Sequence, residues 1–157
     1  MNIKLFFMVA VAALLSFNVS ADANRADIEP FYAFLSNPGS ESHAAAFRES
    51  VSSDWESIGN YSGTNKTQDK FVKQLKGFSQ LIPDLNWKIE ELVIDGSKVV
   101  VRSRATGTPK GPLFGVDGQG KGFEILTIDI HTIKNGKIVN TYHVEDWSGA
   151  LQQLSAK

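Results

Sequence analysis

The dipeptide Asn135-Gly136 constrains the fold of this chain more than any other feature of its sequence. Asn-Gly between two apolar-rich runs is the strongest short-range signal for a two-residue β-hairpin loop, because both residues tolerate the positive φ angles of a type I′ turn. The flanking runs, residues 123–133 and 138–146, are rich in β-branched side chains. They are therefore predicted to pair as antiparallel strands about this turn.

The length of the loop also predicts which side chains share a face of the sheet, since side chains alternate along a strand with a period of two. Counted outward from the turn, one face carries the pairs Ile133 and Ile138, His131 and Asn140, Asp129 and Tyr142, Thr127 and Val144, and Ile125 and Asp146. His143 is predicted on the opposite face, unless a β-bulge shifts the strand by one residue.

Helices are predicted in the first half of the chain. Apolar residues recur at helical spacing over residues 28–35, and Pro30 suits the first turn of a helix. A shorter helix is predicted over residues 42–50. A third helix begins after Thr67, a candidate N-cap, and ends before Pro83.

Strands are predicted in the second half. The runs 87–94 and 99–106 flank Asp95-Gly96, which is another hairpin signal. Residues 107–122 hold six of the 13 glycines and predict a long loop. The spacing Gly118-x-Gly120-x-Gly122 is not a dinucleotide fingerprint, because a strand pattern rather than a helix follows it. Helices followed by antiparallel strands indicate an α+β domain whose helices cover one face of a curved sheet.

Composition excludes several classes of function. The 157 residues include no cysteine, which excludes disulfides, thiolate zinc sites and cysteine nucleophiles. There are 16 Lys and Arg residues against 17 Asp and Glu residues, so the net charge of −1 lacks the basic excess of a nucleic-acid-binding protein. No nucleic-acid partner is therefore predicted.

The N-terminus has the pattern of a secretory signal peptide, with a basic start, an apolar run over residues 5–17 and small residues after it. The run is too short for a membrane-spanning helix, which needs about 20 residues; an uncleaved anchor is the alternative. Cleavage is predicted after Ala21, with Ala23 as the second candidate. Residues 1–21 are then a removed signal peptide and residues 22–157 a single domain, exported to the periplasm or the medium without a stable membrane anchor.

The predicted face that carries Asp129, His131, Asn140, Tyr142 and Asp146 is the candidate site for chemistry. A carboxylate surrounded by Ile and Val has a raised pKa, which suits it to acid–base catalysis near neutral pH. Asp129 and Asp146 lie about 13 Å apart along the strands in this register, too far to share a proton. No metal site is predicted, since the three histidines of the chain do not converge. A solvated face or structural hydrogen bonding is the alternative.

Seven segments of the chain also occur, in the same order, in a known family. They are Leu81-Ile-Pro-Asp84, Val99-Val-Val-Arg102, Gly107-Thr108, Gly111-Pro-Leu-Phe-Gly115, Ile128-Asp129-Ile130, Asn135-Gly-Lys-Ile-Val139 and Asp146-Trp-Ser-Gly-Ala-Leu-Gln-Gln-Leu154. From about Phe31 to Leu154 the chain resembles the SnoaL-like polyketide (ester) cyclases. The resemblance implies the nuclear transport factor 2-like fold, a cone-shaped α+β barrel in which three N-terminal helices pack on a curved, mainly antiparallel sheet around a cavity.

The resemblance also implies a reaction. In this family a carboxylate at the position of Asp146 acts as general acid and base in an intramolecular aldol ring closure, with no cofactor and no metal. The chain has Pro109 where the family often has His, and Thr132 where the family often has Arg.

Two functional hypotheses follow. In the first, the protein is an enzyme in which Asp146 abstracts a proton α to a carbonyl group while Tyr142 and His131 orient the oxyanion. Its substrate is expected to be a small apolar or carbonyl-containing molecule. The predicted substrate-binding residues are Asp129, Asn140, Trp87, Arg102, Phe114 and Phe123.

In the second hypothesis, the protein is an exported, non-catalytic module. It binds a small apolar ligand through Trp87, Phe114, Phe123 and Tyr142. A simpler alternative is that aromatic residues such as Trp55 and Trp147 only form the core and the interface of a homodimer.

Overall fold

The computed structural model describes residues 23–156. The predicted signal peptide, residues 1–21, lies outside the described residues, and no helix within them is long and apolar enough to cross a membrane. A short 3₁₀ turn at Arg25–Asp27 precedes the main elements of the described chain. These are α1 Glu29–Ser36, α2 Glu41–Ser50, β1 Val51–Ile58, β2 Lys66–Thr67, α3 Gln68–Leu81, β3 Asn86–Asp95, β4 Lys98–Gly107, β5 Phe123–Lys134, β6 Lys137–Glu145 and α4 Trp147–Ser155.

Local sequence signals place the ends of the helices. Pro30 lies in the first turn of α1, where the missing N–H would have no partner in any case. Thr67 is the N-cap of α3, as predicted, although its side chain makes no capping hydrogen bond. Helix α4 was not predicted. It begins after Asp146, whose carboxylate accepts the backbone N–H of Gly149 at 2.8 Å.

The strands form one six-stranded sheet in the order β2-β1-β6-β5-β4-β3. Every neighbouring pair is antiparallel except β1 and β6, which run parallel. Both predicted hairpins, β3–β4 and β5–β6, are present. Strand β1 was not predicted, because the polar run Ser52-Ser53-Asp54 interrupts its apolar pattern where its register with β6 shifts. The predicted α+β class, with helices packed on a mainly antiparallel sheet, is confirmed.

The predicted register of the β5–β6 hairpin is wrong beyond its first pair. Ile133 pairs with Ile138 as predicted, but the next pair is Thr132 with Asn140, so Val139 is an extra residue in a β-bulge. The later pairs are His131 with Thr141, Ile130 with Tyr142, Asp129 with His143, Ile128 with Val144, and Thr127 with Glu145. Because a shift of one residue exchanges the two faces of a strand, the inward and outward side chains of β6 from Asn140 onward are the reverse of those predicted.

Buried hydrogen bonds explain this shift. The hydroxyl of Thr141 lies 2.9 Å from His131 Nδ1 and accepts the indole N–H of Trp55 at 3.1 Å. Buried polar groups need such partners. In the predicted register Thr141 would point away from the core, and Trp55 and His131 would lose this hydroxyl. The bulge at Val139 instead turns Thr141, His143 and Glu145 to the helix-covered face.

The two faces of the sheet differ in character. The helix-covered inner face holds the core, in which a group of aromatic rings packs together: Phe31, Phe34, Phe47, Trp55 and Phe71. The outer face exposes several apolar side chains, among them Val93, Leu126, Ile130, Tyr142 and Val144. For β6 beyond Val139, the bulge decides which of these two faces each side chain meets.

Candidate active site

A chain of buried polar side chains lies between α1 and the inner face of the sheet. The hydroxyl of Tyr32, on α1, donates to Asp129 Oδ2 at 2.8 Å and lies 3.0 Å from His131 Nε2. Tyr32, Asp129 and His131 are all buried. Asp129 and His131 are two residues apart on β5, so they point to the same face and reach the same hydroxyl.

The carboxyl of Asp129 has a strongly shifted pKa. Burial, which penalises the charged form, raises the pKa of Asp129 from 3.8 to about 7. The hydrogen bond from Tyr32 opposes this shift, Glu145 adds to it through like charge, and His143 opposes it. The result is a carboxyl group that can give up or take a proton near neutral pH, the property that general acid–base catalysis needs.

His131 is held neutral within this chain of hydrogen bonds. Burial lowers the pKa of His131 to about 3, with His143 as the second cause. Because Tyr32 donates its only proton to Asp129, its oxygen must accept from His131 Nε2–H. His131 Nδ1 then accepts from the hydroxyl of Thr141, whose oxygen accepts from Trp55. Every polar atom of the His131 side chain therefore has a partner.

Tyr32 is also held in its neutral form. Burial, the charge of Asp129 and the hydrogen bond to Asp129 raise the pKa of Tyr32 well above 10.0. Tyr32 therefore acts as a hydrogen-bond donor to Asp129 and does not ionise near neutral pH.

A second pair of titratable groups faces inward from β6. His143 Nδ1 lies 2.7 Å from Glu145 Oε1, and the two side chains are only 11% and 21% exposed. Because Glu145 accepts from Nδ1–H, the neutral imidazole carries its lone pair on Nε2. This Nε2 atom is buried and has no hydrogen-bond partner among the described residues.

Asp129 of the buried polar chain and the His143–Glu145 pair meet at one small cavity, the inner cavity. It has a volume of about 20 Å³, and its polar lining consists of Asp129, His143, Glu145 and Ser57. The hydroxyl of Ser57 is also buried and has no partner within residues 23–156. Apolar side chains of Phe31, Leu35, Phe71 and Trp87 complete the wall. The cavity has room for one water molecule. Across it, the carboxyl group of Asp129, with its raised pKa, faces the imidazole of His143, which Glu145 orients.

The structure brings together only part of the predicted site. Asp129 and His131 lie in the buried polar chain, and Trp87 lines the cavity while its indole N–H donates to Thr127 at 3.1 Å. Phe123 is buried in the core, where it packs on Trp147.

The other predicted residues lie away from the cavity. The β-bulge places Tyr142 and Asn140 on the outer face, where Asn140 accepts from Thr132 at 2.8 Å. Arg102 is on the outer face of β4 and pairs with Glu91 at 3.0 Å. Phe114 is 59% exposed. The predicted common face for Asp146 is wrong as well, since Asp146 is an exposed N-cap of α4.

Sequence reasoning missed four of the residues at this site, Tyr32, Ser57, His143 and Glu145. The predicted register contained no β-bulge and therefore placed His143 and Glu145 on the wrong face of β6. A usable signal was present in the alternation Thr141-x-His143-x-Glu145, which places three polar side chains on one face of a strand. Within residues 23–156, no group of three or more His, Asp or Glu side chains is arranged to hold a metal ion.

Comparisons with known proteins agree with this architecture. A family model described as SnoaL-like polyketide cyclase matches residues 25–154. No curated protein matches the sequence.

Solved structures of similar shape come from several bacteria. TsrD from Streptomyces laurentii is 21% identical with a TM-score of 0.71, and the match covers 87% of this chain and 100% of that one. IdmH from Streptomyces antibioticus, a candidate polyketide cyclase, is 21% identical with a TM-score of 0.72 and coverages of 83% and 97%. An NTF2-like protein of unknown function from Burkholderia pseudomallei is 12% identical, with a TM-score of 0.64 and coverages of 83% and 96%. These likenesses confirm the predicted nuclear transport factor 2-like fold.

Proposed function

Because the chain belongs to the SnoaL-like polyketide cyclase family, we propose that it catalyses proton transfer on a small apolar carbonyl compound. The single observation that supports this reaction is the pairing at one cavity of two groups. One is the buried Asp129 carboxyl with a pKa of about 7, and the other is the imidazole of His143, whose buried Nε2 has no hydrogen-bond partner among the described residues. An acid and a base in adjacent positions are what enolisation of a carbonyl compound requires.

The proposed step moves two protons. His143 Nε2, oriented by Glu145, takes the proton from the carbon α to the carbonyl group. The protonated form of Asp129 gives its proton to the carbonyl oxygen, and the product is an enol. Attack of the enol carbon on a second carbonyl group of the same molecule then forms the carbon–carbon bond of a ring. The enol hydroxyl returns its proton to Asp129 as the first carbonyl group re-forms, and the protonated His143 gives its proton to the oxygen of the second carbonyl group, so both residues regain their starting forms. The hydrogen bond from Tyr32 to Asp129 holds the carboxyl group in place.

Substrate entry requires the cavity to widen. A volume of about 20 Å³ accepts one water-sized group, so only the reacting end of a substrate fits between the present side chains. The apolar wall residues Phe31, Leu35 and Trp87 would contact the remainder of the substrate after they move apart. This wall supports an apolar rather than a charged substrate.

The test is hydrogen–deuterium exchange at the α-carbon of simple ketones in D₂O, followed by proton NMR. The panel contains a cyclic ketone, a long-chain ketone and a linear diketone able to close by an aldol reaction. We expect exchange above the buffer rate with wild-type protein and its loss in Asp129→Asn and His143→Gln. Asp146→Asn is the matched control, because Asn also caps a helix. Exchange that survives Asp129→Asn but not Asp146→Asn would assign the chemistry to Asp146, as the resemblance implies.

A second candidate function is ligand binding without turnover. It is supported by an open apolar cleft on the outer face of the sheet, the outer cleft. Its volume of about 180 Å³ is far larger than that of the inner cavity. Ile58, Ile128, Ile130, Tyr142 and Val144 line this cleft. We expect an apolar fluorescent probe to bind there, with its affinity reduced by Ile130→Asp and unchanged by Asp129→Asn. Probe binding without any exchange of α-hydrogens would favour this function over catalysis.

We also propose that the protein is exported. The support is the basic start, the short apolar run over residues 5–17 and the small residues before Asp22. Mass spectrometry of the protein recovered from a bacterial periplasm should give an N-terminus at Asp22 or Asn24. Recovery of only the intact chain from the cytosol would contradict export.

A further inference from the structure

Gly59 lies directly against the imidazole of His143. A Cβ atom at position 59 would be 2.8 Å from His143 Nε2 and 2.9 Å from His143 Cε1. Both distances are well inside van der Waals contact. The backbone of Gly59 is not in the positive-φ region that favours glycine. The position therefore excludes a side chain for reasons of space rather than of backbone conformation.

The imidazole has little freedom to move away from such a side chain. Its Nδ1 is bound to Glu145 at 2.7 Å, and the His143 side chain is only 11% exposed. Among the described residues, His143 is the one member of the inner cavity wall that also lines the outer cleft, and Gly59 lines that cleft beside it. The missing Cβ thus leaves space at the one edge of the ring that carries the free lone pair.

We propose that Gly59 is a positioning residue for His143. It keeps the Nε2 edge clear, so that Glu145 can hold the ring in the Nδ1–H form while Nε2 remains available to a proton donor. This inference rests on the proposed role of His143 as the base. The groups that face the imidazole are Glu145 on its own strand and Asp129 and His131 on β5, whereas β1 contributes the uncharged Ser57.

The experiment is long-range proton–nitrogen NMR of the substrate-free, ¹⁵N-labelled protein at alkaline pH, which distinguishes the two neutral forms of each histidine. The sequence contains only three histidines. In wild-type protein we expect His143 to be protonated at Nδ1 and His131 at Nε2. In Gly59→Ala the single form of His143 should be lost, because the new methyl group displaces the ring from Glu145. His131 should keep its form and serves as an internal control.

Two further variants complete the test. Gly77→Ala is the matched control, since no atom lies within 4 Å of a Cβ at that position, and it should leave all three histidines unchanged. The double variant Gly59→Ala, His143→Ala should have the same melting temperature as His143→Ala alone, because the ring that the new methyl group meets is gone. This comparison gives a result even if Gly59→Ala alone folds poorly. A wild-type His143 pattern in Gly59→Ala, or no recovery of melting temperature in the double variant, would overturn the proposal.

Kinetics separate this inference from the proposed function. If α-hydrogen exchange occurs, Gly59→Ala should lower kcat with KM nearly unchanged, because the ring that takes the proton is displaced while the apolar wall is intact. The NMR result needs no substrate. Absence of exchange in wild-type protein would contradict the proposed function and leave the measured orientation of His143 as a separate finding.

Discussion

His131 and His143 lie on adjacent strands and point to the same face of the sheet, yet they differ in one respect that decides their roles. Both nitrogens of His131 have hydrogen-bond partners, Tyr32 and Thr141. His143 has one partner, Glu145, and a buried Nε2 without any partner in the described chain. A buried polar atom without a partner costs free energy. His131 therefore stabilises the fold, whereas the free nitrogen of His143 is the feature that points to chemistry.

The largest expected effect tests this difference directly. His143→Gln should reduce α-hydrogen exchange by a factor of about 10² to 10⁴, the usual contribution of a general base. Its stability should change little, since the substituted group has a single hydrogen bond to lose. Exchange rates by NMR and denaturant unfolding provide the two measurements. Equal losses of rate and stability would show that His143 is structural in the same way as His131.

The next effect concerns Asp129 and the pH dependence of stability. The folded protein keeps the Asp129 proton up to a pKa of about 7, whereas an ordinary Asp ionises near 3.8. The unfolded chain therefore binds fewer protons between these values, and the free energy of unfolding falls as pH rises through this window, then stays constant. Relative to Asp129→Asn, the wild-type protein should lose up to about 4 kcal/mol between about pH 4 and about pH 8.

Urea unfolding at a series of pH values measures this prediction. Parallel stability curves for the two proteins would contradict it. The same ionisation should also appear in catalysis. Because the protonated form of Asp129 gives its proton to the carbonyl oxygen, the exchange rate should fall as pH rises above about 7.

The third effect concerns His131. His131→Leu removes the acceptor of the Thr141 hydroxyl and the donor to Tyr32. Buried polar groups that lose their partners should destabilise the protein by about 2 kcal/mol. Thermal or urea unfolding, with His143→Leu as the matched control, measures the contrast. A greater loss of stability in the control would reverse the assigned roles of the two histidines.

The smallest effect is expected at Asp146. Asp146→Ala removes the N-cap of α4, which should cost about 1 kcal/mol, whereas Asp146→Asn should cost only a few tenths. Neither substitution should change the exchange rate once the protein is folded. A loss of exchange in both variants at normal stability would place the reacting proton at α4 rather than at the inner cavity.

The hairpin shows how far sequence reasoning extends. The turn at Asn135-Gly136 and the pair Ile133 with Ile138 were predicted correctly, because turn type depends on local backbone preferences. The prediction became wrong one residue later, at Val139. A β-bulge has no strong local signature. Its position here depends on the hydroxyl of Thr141, which donates to His131 and accepts from Trp55, 86 residues away in the chain.

The candidate site also contains residues that local sequence patterns predict and residues that depend on distant contacts. Asp129 and His131 could be predicted as inward residues, because an inward face is set by alternation along β5 alone. His143 and Glu145 could not, since their direction depends on the bulge. Tyr32 is 97 residues from Asp129 in the chain, so no local pattern connects them.

The sequence by itself determined helices α1 to α3, the two hairpins β3–β4 and β5–β6, the α+β class and the family. These follow from local periodicity, turn chemistry and ordered motifs, which act over short stretches of chain. Only the tertiary structure decided which histidine keeps a free nitrogen and which carboxyl has a raised pKa. Both properties depend on burial and on partners supplied by other elements, and a single displaced residue on β6 was enough to exchange the inner and outer faces.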